Sequence, residues 1–216
     1  MDPLRLCIAL SPLAAYVLVL GLINLSSRSL VTSGARDLAA LALGISGLVV
    51  VGPMELFFPE LATELFGPYV WLLLLGMYAL LVALLTLVLR PRVVIYNMTV
   101  EQLRPSLANV VQDLDSDARW AGECLVLPRL GVQLHVEPFL ALRNVQLVSS
   151  GPQQSLAGWR RLECALVQAL RGASSPPNPY GYSLVFFGLL MAALIAFAVL
   201  GDTPAVAQAF REMLRQ

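Results

Sequence analysis

The stretch TLVLRPRVVIYNMTVEQL, residues 86–103, divides the chain into two kinds of sequence. Ahead of it lies a long apolar region that ends on Leu89. Arg90 and Arg92 then bracket Pro91, and the run RVVIYNM (92–98) is β-branched and aromatic, the composition of a strand. Thr99 follows, three residues before Gln102, at the spacing of a helix capping box. Glu101 stands where the helix dipole favours a negative charge. An apolar segment thus gives way to one built for water.

Composition agrees with that division. Of 216 residues, 58% are hydrophobic and 13% charged, against roughly 45–50% and 25% in soluble domains. A shortage of charge with an excess of apolar residues points to lipid rather than to a larger soluble core. Net charge is zero, so no overall basicity calls for nucleic acid. The basic residues are all Arg, which excludes Schiff-base or P-loop lysine chemistry. His135 is the sole histidine. Cys7, Cys124 and Cys164 form no CxxC pair, so neither a zinc site nor a disulfide framework is indicated.

A bilayer core about 30 Å thick needs roughly 20 helical residues. Four runs meet or approach this: 7–25, 38–58, 69–89 and 183–201, the last two without any charged residue. The first could be a signal peptide, but its basic region is weak and no small-x-small cleavage site closes it, so a retained helix is preferred. The second carries Pro53 and Glu55 near its end, and a re-entrant segment is the alternative there. Loop 26–37 holds Arg28 and Arg36, whereas loop 59–68 holds Glu60 and Glu64 and no Arg. With Arg90 and Arg92 after the third run, the positive-inside rule puts both termini outside and residues 91–172 in the cytoplasm. Arg211 and Arg215 in the tail argue weakly the other way. Arg90, Arg92, Trp71, Tyr180 and Tyr182 are the expected anchors at the two membrane interfaces.

The pattern therefore predicts a membrane α-helical protein with four transmembrane helices and an inserted small α+β domain of β-α-β-β-β-α order. Residues 1–90 would hold three spans and 91–172 the domain; 173–183 would be a Pro-, Ser- and Gly-rich tether. Residues 184–202 would be the fourth span, and 203–216 an amphipathic helix. In the insert, Val100, Leu103, Leu107, Val110, Val111 and Leu114 mark one helix face, and Leu156, Trp159, Leu162, Leu166, Ala169 and Leu170 another. Val132, Leu134 and Val136 alternate with Gln133, His135 and Glu137, as in a strand with one wet face. Two helices are expected over a sheet of about four strands.

Candidate chemistry is sparse. Glu55 beside Pro53 is the carboxylate nearest the membrane interior, where a proton relay or ion site would use such a group. Gly44, Gly47 and Gly52 allow close helix approach. His135 and Glu137 share a strand face but lack the further ligands that a metal needs. Asn97-Met98-Thr99 matches a glycosylation sequon, although Thr99 already has a capping role. No HExxH, GxSxG, Walker or GxGxxG motif occurs, and no catalytic residue, cofactor site or metal site is assigned. The expected function is a membrane-anchored, non-catalytic module presented in the cytoplasm to another protein or to a second copy of the chain. A transporter or channel subunit and a lipid-modifying enzyme are the alternatives. The bilayer itself is the other expected partner.

Overall fold

The computed structural model describes residues 3–54, 67, 69–139, 143–152, 154–173, 175–201, 203 and 207. The chain is mostly helical, with four long apolar helices and a small antiparallel sheet. In chain order the elements are α1 (Pro3–Leu25), β1 (Leu30–Ser33), α2 (Gly34–Val49) and α3 (Tyr69–Val88). Then come β2 (Arg92–Tyr96), α4 (Val100–Leu114), β3 (Arg119–Ala121), β4 (Cys124–Leu127), β5 (Val132–Phe139) and β6 (Asn144–Ser149). α5 (Leu156–Leu170) and α6 (Tyr180–Gly201) complete the chain. They form two compact units, 1–19 with 38–87 and 184–216, and 20–37 with 88–183.

The second unit is built on a six-stranded antiparallel sheet of order β1-β2-β6-β5-β4-β3. Two features exceed the four strands expected. Residues 119–127 form a hairpin rather than one strand, because Gly122 takes φ +64° at the first position of a two-residue turn. The other addition is β1, drawn from the loop between the first two long helices, with Val31 opposite Ile95 and Thr32 opposite Val94. The short LVT run of β1 carries too little pattern to be read as a strand alone; it exists through its pairing with β2.

Both amphipathic helices lie on one face of this sheet. Leu103, Leu107, Val110 and Val111 of α4 meet Trp159, Leu162, Leu166 and Leu170 of α5 over Val93, Ile95, Leu125, Leu134, Val145 and Leu147. Leu156 and Ala169 are exposed instead, since the buried stripe of α5 runs from Trp159 through Leu162 and Leu166 to Leu170 and those two fall beside it. The capping box of α4 is formed: Thr99 Oγ1 accepts from the Gln102 amide, and Gln102 Oε1 accepts from the Thr99 amide. At its other end Asp115, almost fully buried, accepts the amides of Asp117 and Arg129. Gln154 knits the start of α5 to the sheet. Its Nε2 donates to the carbonyls of Gln133 and Ser150, and its Oε1 accepts from Trp159 Nε1.

The expected tether is more ordered than its composition implied. α6 begins at Tyr180, so the last residues of 173–183 are helical. Ahead of it, the Ser175 and Asn178 amides donate to the carbonyls of Ser27 and Asn24, and Asn178 Nδ2 donates to Asn24 Oδ1 at 3.1 Å. Asn24 and Asn178 are wholly buried, so the last turn of α1 is part of the second unit. Asn97, also wholly buried, ends β2 with φ +58° and donates through Nδ2 to the Ser26 carbonyl. The sequon asparagine is thus sequestered.

In the first unit the long helices meet through small residues. A Cβ on Gly47 would lie 2.0 Å from the Ile8 carbonyl oxygen, and one on Gly44 would lie 2.8 Å from Tyr16. Gly188 stands in the same way against Leu18, whereas a Cβ on Gly52 would meet nothing within 4 Å among the described residues. Tyr78 of α3 donates to the Ala42 carbonyl of α2 at 2.7 Å. α2 continues into a π-helical turn, Val50–Met54, that contains Pro53. A proline there removes a backbone donor, and the wider turn accommodates its ring. Leu43, Leu80, Leu87 and Phe197 are more than two-thirds exposed on this unit, as apolar side chains facing lipid would be.

Candidate functional site

The expected interface residues fall at different kinds of place. Arg90 is exposed just past α3, and Tyr180 and Tyr182 are exposed in the first turn of α6. Trp71 lies in the first turn of α3. Arg92 is a strand residue. Its guanidinium lies 3.6 Å from the Asp37 carboxylate and packs against Gly34, where any side chain would collide with it. Tyr96 also donates to Asp37, and Arg36 pairs with Glu163 of α5 at 3.1 Å. Arg92, expected at the membrane interface, and Arg36, expected as an inside-loop charge, thus fasten the first loop to the sheet domain. Glu55, on which a pore or proton path would rest, lies outside the described residues, as do Glu60 and Glu64. Of the tail 203–216, only Thr203 and Ala207 are described.

Two arrangements in the second unit have chemical content. The first is a groove of about 270 Å³ beside the start of α4. One wall is Met98 to Leu107. Trp120 and Glu123 of the β3–β4 hairpin and Val136, Pro138 and Phe139 of β5 form another, and Arg143 to Val145 close it. The lining is mainly apolar, and Trp120 and Phe139 remain 42% and 50% exposed. Arg104 and Arg143 share the lining with Glu101 and Glu123, so the groove has no strong net sign. Its size falls just below the roughly 300–1,000 Å³ of small-molecule pockets, which favours a side chain or two over a cofactor.

The backbone at the floor of the groove is unusual. Arg143 takes φ +49° near Asn97, and the Met98 amide donates to the Arg143 carbonyl at 2.8 Å. Arg143 Nη1 donates to the Pro176 carbonyl. Asn144, 6% exposed, keeps an Oδ1 without a hydrogen-bond partner among the described residues. A buried amide oxygen left unpaired costs about 1–3 kcal/mol.

The second arrangement lies on the sheet face opposite the helices. His135 and Cys124 are cross-strand partners, with Cys124 Sγ 3.6 Å from His135 Nδ1. On the far side of the ring, Nε2 lies 3.8 Å from Glu123 Oε2. Glu137, the strand neighbour expected beside His135, is not the carboxylate that meets it. Sequence spacing groups residues along a strand, whereas Cys124 and Glu123 arrive by hairpin register. Because thiol and carboxylate occupy opposite sides of the imidazole, a single ion cannot reach both. Among the described residues no three His, Cys, Asp or Glu side chains converge as a metal would require.

Comparison with known protein families, with curated proteins and with solved structures returned no match.

Proposed function

We propose that this chain is a multi-pass protein of the cytoplasmic (inner) membrane whose sheet domain faces the cytoplasm and binds a partner protein through the groove beside α4. The observation that carries the membrane part is the pairing of β1 with β2. Strands of one sheet share one side of a bilayer, since an open sheet edge cannot span it. An even number of crossings must then separate residue 33 from residue 92. Both α2 and α3 cross, or neither does, so a re-entrant α2 beside a spanning α3 is incompatible with the sheet. α2 together with its π-helical turn (Gly34–Met54) and α3 are each long and apolar enough to cross. Arg28, Arg36, Arg90 and Arg92 all belong to or flank the sheet unit, and the positive-inside rule supports reading its side as cytoplasmic.

The binding part is supported by the groove. Two half-exposed aromatic side chains at an apolar recess, with a buried acceptor beside them, suit an extended segment of another protein. Its large apolar side chain would fill the recess. Two experiments test the two parts. Single cysteines at Arg28, Arg161 and Glu60 should give matching protection at 28 and 161 from an impermeant maleimide in intact cells, with labelling at 60. Opposite behaviour of 28 and 161 would refute the four-span topology. A photo-crosslinking residue at Trp120 in native membranes should yield a discrete protein adduct that the same residue at exposed Arg161 does not. Equal patterns at both positions would refute the groove as the docking site.

A further inference from the structure

We propose that Cys124 is a nucleophilic thiol and a site of mixed-disulfide formation with small disulfides, with His135 as its proton acceptor and Glu123 as the carboxylate that orients the ring. The geometry is that of a nucleophile beside a base, with a carboxylate 3.8 Å from the far side of the ring. Glu123 beside Nε2 favours the tautomer that carries its proton there, which leaves Nδ1 free to accept from the thiol 3.6 Å away. Transfer of that proton gives a thiolate beside an imidazolium, and the thiolate is the attacking species.

The surroundings favour a small, diffusing co-reactant. Cys124 is half-buried and the His135 side chain is 34% exposed, on a sheet face that neither α4 nor α5 covers. In the step, the Cys124 thiolate attacks one sulfur of a disulfide RSSR. A Cys124–S–S–R bond forms as the R–S–S–R bond breaks. The departing RS⁻ takes the proton held by His135, which returns to its neutral form. The net change is Cys124–SH plus RSSR giving Cys124–SSR plus RSH, with no other oxidant. All three cysteines are free thiols, so Cys124 is available for exchange, and a reductant reverses the mixed disulfide.

Cys164 supplies an internal control. It is more exposed than Cys124, and the one histidine of the chain is already engaged with Cys124. The full-length protein in detergent is incubated with oxidised glutathione, and adducts are located by peptide mass mapping. Cys124 should react about tenfold faster than Cys164, the order of gain expected when a proton acceptor is positioned beside the attacking thiol. His135→Gln should bring Cys124 down to the rate of Cys164 and leave Cys164 itself unchanged, which also reports an intact fold. Glu123→Gln, at a largely exposed position, should slow Cys124 severalfold without risk to the fold. A Cys124 no faster than Cys164, or a Cys124 rate unmoved by both substitutions, would overturn the proposal.

Discussion

Val31 of β1 lies opposite Ile95 of β2, so a residue encoded before two long apolar helices packs against the core of a sheet encoded after them. The first loop is therefore part of the domain and not a mere connection.

Val31 is partly buried against that core, and Leu30 beside it is 42% exposed. Val31→Asp should destabilise the second unit by about 2–3 kcal/mol, the cost of pressing a carboxylate into an apolar site. Leu30→Asp should stay within about 0.5 kcal/mol. Thermal unfolding in detergent, followed by protease resistance of residues 88–183, distinguishes the two.

The Asn178–Asn24 bond is buried at both ends. Asn178→Ala and Asn24→Ala should each cost about 1–3 kcal/mol, because each strands a polar group away from water. The double variant should cost less than the sum, since the second change removes the stranded partner. Additive losses in a double-mutant cycle would show that the two side chains act independently.

Gly47 and Gly52 sit on one helical segment in different surroundings. Gly47→Ala pushes a methyl into the Ile8 carbonyl and should lower stability by about 1–3 kcal/mol. Gly52→Ala meets nothing within 4 Å among the described residues and should be neutral or slightly stabilising. Melting temperatures of the two variants in one detergent make the comparison.

Thr99→Ala removes the side-chain oxygen that accepts the Gln102 amide. A loss of about 0.5–2 kcal/mol is expected, with faster hydrogen exchange in the first turn of α4. As that turn walls the groove, Thr99→Ala should also weaken the photo-adduct at residue 120.

Local signals in the sequence carried much of this architecture. The four apolar runs, the capping box at Thr99 and the alternation from Val132 to Glu137 each depend on neighbours a few residues away, and each is found in the structure. What depends on distant pairing was not legible. β1 has four residues and no period long enough to announce it; the contact of Cys124 with His135 requires the register of β4 against β5. The groove joins residues from α4, the hairpin and the far ends of β5 and β6, and nothing along the chain marks them as a set. Trp120 carried a signal in principle, as a large aromatic beside Gly122, but its position at the groove follows from the hairpin.

Synthesis order gives the sheet a timing problem. β1 emerges with Ser33, yet its mate is not made until Tyr96, and β6, on which β2 leans, is finished only at Ser149. In the interval a lone strand must wait while two long apolar helices are made. A chain stalled before Arg92 would present an unsatisfied edge to whatever lies nearby, so translation rate bears on how safely this protein is born.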